Sequence, residues 1–358
     1  MANPAVSVIV PVYNVEAFLP ECLDSVVRQK LTDIEIITVN DVTPDSSQAI
    51  IDQYAALDDR FVQLRHEVNK GLGEARNTGV RHAQGDYVYF LDSDDCLVDE
   101  FALQTLHDIA VARQDDIVFG KAASKYPVDG KHILCELRGI NIANYPYLVY
   151  NHSAWNKLLR REFLLANEFF FKPPRYAEDI VFSIRTNLRA KSISITNRPT
   201  YFYRWGRQVT HANKQKIYDA RANLIEALTI VGMEGDHFVL EEMRRKTIKN
   251  AYGNLVRAEN VLSRSEMHEH FRHWKRVFDA MPDDVFKTVP SKYKTFCDLI
   301  KKSRYDDALK FWRKTKSKKE MSDISPGEAF HRLRNMYESP LWKMSAPLRW
   351  VLKRMRLI

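Results

Sequence analysis

Short, nearly all-apolar segments alternate with amphipathic segments through the first 120 residues, and this alternation constrains the fold more than any other feature. The apolar runs are bounded by turn residues and rich in β-branched and aromatic side chains, which is typical of buried strands. The segments between them repeat apolar residues at helical spacing. Such alternation predicts a parallel sheet with crossover helices. The predicted strands in this stretch cover residues 6–13, 34–39, 61–64, 87–91 and 117–119, and two more strands are predicted at 193–195 and 200–203.

The fourth predicted strand, residues 87–91, runs directly into Asp92-Ser93-Asp94. Side chains alternate along an extended chain, so Asp-x-Asp spacing places two carboxylates on the same side. The carboxyl ends of parallel strands border the crevice in which open α/β sheets bind ligands. Hard oxygen ligands suit Mg²⁺ or Mn²⁺ held jointly with substrate phosphates. The alternative for this motif alone is a polar turn in which Asp94 caps the next helix.

Three more segments at predicted strand ends carry polar residues or glycine. Residues 11–14 read Pro-Val-Tyr-Asn and close the first strand, and Asp41 closes the second. Residues 69–79 form a glycine-containing loop that opens a helix. Glycine lets backbone approach a ligand closely, and the forked guanidinium of Arg76 can reach a phosphate. Each segment alone is weak evidence, since Asp41 could merely cap a turn.

Together and in this order, the motifs resemble those of family-2 glycosyltransferases with the GT-A fold. Such enzymes carry a Val-Pro-Val-Tyr-Asn opening, an Asp-Asp-Gly-Ser turn, a Gly-x-x-x-Ala-Arg-Asn-x-Gly helix start and an Asp-x-Asp. The corresponding segments here are residues 10–14, 40–43, 71–79 and 92–94. The resemblance continues more weakly to about residue 215, roughly 60% of the chain. In one departure, the second turn reads Asn-Asp-Val-Thr.

The resemblance implies a nucleotide diphosphate sugar as donor and Mn²⁺ or Mg²⁺ as cofactor. Asp41 takes the place that faces the base, where a carboxylate can accept the imide N–H of uracil, although thymine offers the same edge. Asp92 would face the ribose, and Asp94 would bind the metal that bridges the diphosphate and neutralises its developing charge. The predicted donor-binding residues are Pro11, Tyr13, Asn14, Asp41, Gly71, Arg76, Asp92 and Ser93.

Glu178 and Asp179 lie near the start of a predicted helix over residues 177–188, where carboxylates also favour a helix N-terminus electrostatically. In the family, the acid at this place is the base that takes the proton of the acceptor hydroxyl, as an inverting transfer requires. The resemblance favours Asp179 over Glu178. His211 could contact the metal or diphosphate, or be structural. The predicted acceptor-side residues are Trp155, Asn156, Lys157 and Tyr176. The rings of Trp155 and Tyr176 could stack on sugars or belong to the core.

Charge divides the chain unevenly. Residues 231–358 carry 28 Lys and Arg against 17 Asp and Glu, net +11, whereas residues 1–230 have a net charge of −3. Such asymmetry suggests that the second half binds an anionic membrane or nucleic acid, but no recognised motif supports nucleic-acid binding. Residues 341–358 form an apolar helical stripe among five cations and no acid, which suits an anionic membrane surface. Packing on its own domain, or contact in a homo-oligomer, is the alternative.

The sequence predicts two regions. Residues 1–215 would form a GT-A domain, with a donor-binding half at about 1–120 and an acceptor-side half at 121–215, and residues 216–358 a basic, mainly helical region. No apolar stretch reaches the roughly 18 residues of a membrane span, and no leader pattern precedes the first strand. Four scattered cysteines indicate a reducing compartment. We therefore expect a cytoplasmic protein that is peripheral on the inner face of the plasma membrane.

These features predict a metal-dependent inverting glycosyltransferase that moves a sugar, most plausibly from a UDP-sugar, to a hydroxyl of a saccharide or lipid-linked saccharide in cell-surface glycan synthesis. One alternative is a non-catalytic nucleotide-sugar-binding or assembly protein of the same fold. Another is a nucleotidyltransferase, which also uses a glycine-rich loop and paired aspartates. That class normally carries a Gly-rich Arg/Lys signature near the N-terminus, where this chain has Pro-Val-Tyr-Asn.

Overall fold

A mixed β-sheet forms the centre of the protein in the computed structural model, which describes residues 3–123, 136–204 and 213–315. Its strands within those ranges are β1 Val6–Val12, β2 Ile34–Asn40, β3 Phe61–Arg65, β4 Tyr87–Phe90, β5 Cys96–Leu97, β6 Ile117–Ala123, β7 Glu136–Ile140, β8 Lys157–Arg160 and β9 Ile193–Phe202. The strand order is β3-β2-β1-β4-β8-β6-β9-β5, and β7 pairs with β9.

The first four strands make the parallel half of this sheet. All seven residues of β1 are buried, and β1 pairs in parallel with both β2 and β4. Burial on both faces explains why these runs are continuously apolar rather than alternating. Val12 lies opposite Asn40, and Ile9 lies opposite Phe90, so the carboxyl ends of three strands reach the same edge. The predicted parallel sheet is thus confirmed.

Helices connect and cover these strands, as the alternating pattern predicts. Helix α3 passes close to β1, where Gly79 leaves no room for a side chain, since a Cβ there would lie 2.4 Å from Cγ2 of Ile9. The helices of this part are α1 Leu19–Val27, α2 Ser47–Ala55, α3 Leu72–His82, α4 Ala102–Arg113, α5 Arg161–Ala166 and α6 Asp179–Arg189, with a 3₁₀ helix at Pro146–Tyr150.

The second half of the sheet is mixed, and here the sequence prediction is partly wrong. Strand β8 is antiparallel to both β4 and β6. Residues 193–195 and 200–203 are predicted as two strands, but Ile193–Phe202 is one strand. Pro199 suggests a break in the sequence, yet it pairs with Lys121 where the register of β6 and β9 shifts. An irregular position tolerates a residue that has no N–H to donate.

From Lys214 the chain is all helical within the described residues, in agreement with the predicted change of character near residue 215. The chain through Thr315 forms one compact unit. None of the described helices is long and apolar enough to cross a membrane. His211 and the stripe at 341–358 lie outside the described residues. The helices are α7 Lys214–Glu234, α8 His237–Gly253, α9 Leu255–Glu259, α10 Arg264–Asp279, α11 Asp283–Lys287, α12 Ser291–Lys301 and α13 Tyr305–Thr315.

Candidate active site

The loops that follow β1, β2 and β4 begin at the shared carboxyl edge of the parallel strands. Tyr13 and Asn14 follow β1, and Tyr13 is 51% exposed. The amide of Asn14 donates to Oγ1 of Thr43 at 2.8 Å, which joins the first loop to the loop after β2. Pro11 lies inside β1 and is buried, so it shapes the strand end and offers no exposed surface to a donor. Of this motif, Tyr13 and Asn14 are the residues open to a ligand.

Asp41 anchors the glycine-containing loop. Its Oδ1 accepts from the amide of Lys70 and its Oδ2 from the amide of Gly71, both at 2.7 Å. Nδ1 of His66 lies 2.7 Å from Oδ1, and the Asp41 side chain is 4% exposed. Gly71 has a φ of 90°, a conformation that favours glycine and that directs these amides onto the carboxylate. Asp41 therefore fixes the loop, and its contact with the base stays a prediction from the family resemblance.

Arg76 links two parts of the site that are far apart in sequence. Its guanidinium is buried, with Nη2 2.6 Å from Oδ1 of Asp92 and Nη1 3.5 Å from Oε1 of Glu178. The side chain also lies over the ring of Phe171, 5.3 Å from its centroid. Burial alone would lower the pKa of Arg76, but the neighbouring carboxylates raise it. Arg76 thus faces two carboxylates, and its contact with a phosphate stays a prediction.

The turn after β4 contains the Asp-x-Asp motif and the next residue, Asp95, and its carboxylates differ in burial. Asp95 is buried, its Oδ2 accepts from the hydroxyl of Tyr201 at 2.7 Å, and its Oδ1 accepts from the Arg204 amide at 2.8 Å. Burial and the charge of Asp92 raise the pKa of Asp95 to about 7. Asp94 is partly exposed, and its carbonyl accepts from Nε of Arg204 at 3.1 Å. Asp95 thus fixes the turn, and Ser93 beside it is buried.

Glu178 and Asp179 lie at the first turn of α6, next to Arg76. Ala177, just before them, has a φ of 59°, which turns the chain sharply into the helix. Burial raises the pKa of Glu178 to about 7, although Arg76 opposes the shift. Burial also raises the pKa of Asp179, against the attraction of Arg76 and Lys157. Two carboxyls with raised pKa values beside a guanidinium are suited to proton transfer.

Asn77 holds this first turn of α6 against α3. Its Nδ2 donates to the carbonyl of Phe171 and its Oδ1 accepts from the Phe171 amide, both at 2.8 Å. The Phe171 ring stacks on Phe182 of α6, with centroids 4.1 Å apart. Sequence reasoning recognised Asn77 only as part of a motif. The pairing with Phe171 spans 94 residues, so no local signal could reveal it.

Two predicted acceptor-side residues lie where a sugar could reach them. Trp155 is half-buried and stacks on Tyr201 and Tyr203, with centroid distances of 4.6 Å and 5.4 Å. The hydroxyl of Tyr176 accepts from Nη1 of Arg257 at 2.9 Å, and its carbonyl accepts from Nδ2 of Asn223 at 2.8 Å. Helices α7 and α9 therefore fix the loop that precedes α6.

The other two predicted acceptor-side residues are buried, and their contact with the acceptor stays a prediction. Asn156 has a φ of 64°, donates to the carbonyl of Gly120 at 2.6 Å and accepts from Oγ1 of Thr200 at 3.0 Å. Lys157 has no exposed surface, and its ammonium donates to Oγ of Ser183 at 2.9 Å. Both side chains hold neighbouring backbone or α6 in place around the site.

Comparison with known proteins agrees with this architecture. Residues 7–164 match the family described as Glycosyl transferase family 2. Glycosyltransferase GlyG of Streptococcus pneumoniae serotype 4 is 31% identical over 244 residues, which are 60% of this chain and 80% of GlyG. The chain belongs to glycosyl transferase family 2. The predicted family and its α/β GT-A fold class are thereby confirmed.

Two more family-2 comparisons show how far the similarity extends. EpsJ of Bacillus subtilis (strain 168), named as an uncharacterized glycosyltransferase, is 39% identical over 213 residues, 56% of this chain and 61% of EpsJ. The match therefore spans less than two thirds of EpsJ. A crystal structure of TarS residues 1–349 from Staphylococcus aureus, in complex with UDP-GlcNAc, superposes with a TM-score of 0.69 at 21% identity. It covers 86% of this chain and 90% of the TarS chain, so the fold likeness includes the helical region.

Proposed function

We propose that this family-2 chain is an inverting glycosyltransferase that moves a sugar from a UDP-sugar to a hydroxyl of a saccharide or lipid-linked saccharide in cell-surface glycan synthesis. The observation that carries the proposal is the convergence of Asp92 and Glu178 on the buried Arg76, with Asp179 beside them. The UDP-GlcNAc complex of TarS makes UDP-GlcNAc the first donor to test. TarS is named a poly(ribitol-phosphate) beta-N-acetylglucosaminyltransferase, which places hydroxyl-rich polymers among the acceptors to test.

The donor's nucleotide would bind across the loops after β1 and β2. The exposed ring of Tyr13 can pack against a base, since aromatic faces favour such contacts. Each oxygen of a carboxylate has two lone pairs, and within the described residues Oδ2 of Asp41 accepts from the Gly71 amide. Asp41 can therefore hold the loop and still accept the imide N–H of uracil. Asp92 would face the ribose while it remains paired with Arg76.

The end of β4 fits a divalent cation that is shared with the substrate. The described part of the chain contains no group of three or more His, Cys, Asp or Glu side chains that could hold a metal by itself. Mg²⁺ is usually bound through one or two carboxylates plus substrate phosphates, and Asp94 with a diphosphate matches that mode. Mn²⁺ or Mg²⁺ bound there would neutralise charge on the departing nucleoside diphosphate.

Asp179 would accept the acceptor's hydroxyl proton while the hydroxyl oxygen attacks the anomeric carbon. The new C–O bond forms opposite the bond to the diphosphate, and that bond breaks with its electron pair leaving on the nucleoside diphosphate. The configuration at the anomeric carbon is therefore inverted. Burial raises the pKa of Asp179, which makes its carboxylate a stronger base. Glu178 would mainly hold Arg76 in place.

The test measures UDP release from a panel of UDP-sugars, with saccharide and polyol-phosphate acceptors, in Mn²⁺ and in excess EDTA. Asp179→Asn should lower turnover by about 10²–10⁴-fold, the usual contribution of a positioned base. Stabilisation of the variant against heat by UDP-sugar should persist. Glu178→Gln is the matched control, because it neutralises the adjacent carboxyl and should cost less turnover.

Three outcomes would contradict parts of the proposal. If Glu178→Gln is inactive and Asp179→Asn is nearly normal, the base is Glu178. Full activity in excess EDTA would remove the role of Asp94 in binding a cation. UDP-sugar binding without transfer to any acceptor would favour a non-catalytic binding protein.

A further inference from the structure

Two lysines are buried behind the first turn of α6, and the mechanism above does not use them. Lys157 in β8 has no exposed surface, and Lys246 in α8 is 1% exposed. Removing an ammonium from water is costly unless hydrogen bonds or an opposite charge compensate. Within the described ranges, neither lysine forms an ion pair with a carboxylate in direct contact. Their positions therefore require another explanation.

Lys157 is held directly beneath the helix turn that carries Asp179. Its ammonium donates to Oγ of Ser183 at 2.9 Å and lies 5.1 Å from the ring centroid of Phe119. Ser183 follows Asp179 by four residues, so both lie on the same face of α6, one turn apart. The Ser183 hydroxyl in turn donates to the carbonyl of His152 at 2.8 Å. This chain of hydrogen bonds fixes the ammonium under the turn.

Lys246, in the helical region, contacts the 3₁₀ helix that precedes His152. Its ammonium donates to the carbonyl of Val149, three residues before His152, and lies 5.1 Å from the ring centroid of Tyr150. Lys246 thus holds the 3₁₀ helix, and Ser183 holds the loop that follows it at His152. The arrangement keeps the Lys157 ammonium away from water and on Ser183, one helical turn from Asp179.

We propose that Lys157 is a positioning residue whose buried ammonium, held on Ser183, keeps the carboxyl of Asp179 ionised and ready to accept a proton. The inference rests on the proposed role of Asp179 as the catalytic base. It assigns to Lys157 an electrostatic task in place of the predicted contact with the acceptor.

The charges around Asp179 support this assignment. Burial lowers the pKa of Lys157 to about 7, and the charge of Asp179 opposes that shift. Lys157 therefore carries its proton below about pH 7. Burial and Asp92 raise the pKa of Asp179, and the Lys157 ammonium opposes that increase. Removing the ammonium's charge would therefore raise the pKa of Asp179 further. The charged groups that act on this pair are Arg76 from α3, Asp92 after β4, Glu178 on α6 itself and Lys246 from α8. His152, in the loop before β8, also faces Lys157, and burial and the two lysines lower its pKa, which keeps it neutral.

The test is the pH profile of kcat/KM for UDP release from UDP-GlcNAc by the full chain, with a saccharide or polyol-phosphate acceptor present. Lys157→Met keeps an unbranched side chain that is one atom shorter and removes the charge. The acid limb of the profile should move to higher pH by about 0.5–1 unit, the size expected for one charge acting across several ångströms of protein. The loss of activity should be larger at pH 6 than at pH 8.5, while the donor KM stays close to that of the wild type.

Ser183→Ala removes the hydrogen-bond acceptor that holds the ammonium but leaves the lysine in place. It should move the acid limb in the same direction as Lys157→Met and by a smaller amount, because a buried ammonium without its acceptor is less often charged. Lys157→Gln is a second neutral variant that can still donate to Ser183, in case Lys157→Met folds poorly. Coincident acid limbs for the wild type and a folded neutral variant, with Asp179→Asn inactive, would overturn this inference and leave the proposed base intact. Normal turnover of Asp179→Asn would overturn both.

Discussion

At the scale of single residues, the site depends on side chains whose partners differ from those that their motifs suggest. Arg76 belongs to a motif in which a guanidinium near a nucleotide suggests phosphate binding. In the fold it is buried between Asp92 and Glu178, and it therefore compensates two carboxylates that would otherwise repel each other. An arginine suits this task better than a lysine, since its planar fork can serve both partners at once.

Val42 takes the place of glycine in the Asp-Asp-Gly-Ser turn, and the structure shows that its backbone is strained. Its φ is 61°, a region that β-branched residues rarely adopt. Such strain costs on the order of 1–3 kcal/mol. We predict that Val42→Gly stabilises the protein by about 1 kcal/mol net, because glycine relieves the strain but loses more freedom on folding. Thermal or urea unfolding of the two proteins measures the difference.

The matched control for Val42→Gly is the same substitution at Val68. Val68 is 63% exposed in a loop and is not among the described residues with positive φ. Val68→Gly should lower stability by about 0.5–1 kcal/mol, since only the entropic cost of glycine remains. A loss of stability at Val42 that equals the loss at Val68 would show that the turn after β2 is unstrained.

At the scale of secondary-structure elements, the contact between α3 and β1 aligns the two sides of the site. Helix α3 carries Arg76 and Asn77, and β1 ends at the loop with Tyr13. The elements approach closely because Gly79 has no side chain to meet Ile9. A small shift of α3 would move Arg76 relative to Asp92, so we expect this packing to affect both stability and turnover.

We predict that Gly79→Ala lowers stability by about 1–3 kcal/mol, the range for overpacking a filled core. An added Cβ would lie 2.4 Å from Cγ2 of Ile9, so the helix or the strand must move. UDP release by the folded variant should fall as well. Denaturant titration and the transferase assay on the same preparation check both effects.

Gly253 offers the control for Gly79, because it also lies in a helix but has nothing within 4 Å of an added Cβ. Gly253→Ala should raise stability by about 0.5–1 kcal/mol, as expected for alanine in an open helical position. If both alanine variants are equally stable, the close contact of Gly79 with Ile9 does not constrain α3.

At the scale of the whole molecule, the chain up to Thr315 forms a compact unit by itself. Trp312 in α13 has no exposed surface, and its Nε1 donates to the carbonyl of Tyr252 at 2.9 Å. Tyr252 in turn packs edge-on against Phe296. The last described helix is thus part of the core of the helical region. We expect a chain that ends at Thr315 to fold.

We predict that the full chain binds anionic liposomes and that residues 1–315 do not. Residues 341–358 contribute five cations and no acid along an apolar stripe. Attraction to an anionic leaflet is worth about 1 kcal/mol per Lys or Arg near the surface and is screened by salt. Co-sedimentation should therefore require anionic lipid and weaken in high salt. Equal binding to neutral liposomes, or binding by residues 1–315, would favour self-association or packing as the role of this stripe.

The amino-acid sequence by itself determined the parallel half of the sheet and the order of the polar segments at its edge. Local patterns are enough for this, because a short apolar run between turn residues can form little other than a buried strand. Parallel pairing then brings the ends of β1, β2 and β4 together, with Asp41 and Asp92 among their following residues. The first turn of α6, with Glu178 and Asp179, was also predictable as a helix start.

The tertiary structure alone decided which of these groups face one another. Arg76 meets Glu178 and Asn77 meets Phe171 across about a hundred residues, and no periodicity encodes such distances. It also decided that Lys157 turns inward to Ser183, because β8 is a central strand between β4 and β6. Burial and charge pairing depend on packing between distant segments, whereas strand and helix formation depend on neighbours in the chain. The chemistry of Asp179 therefore follows from the complete fold.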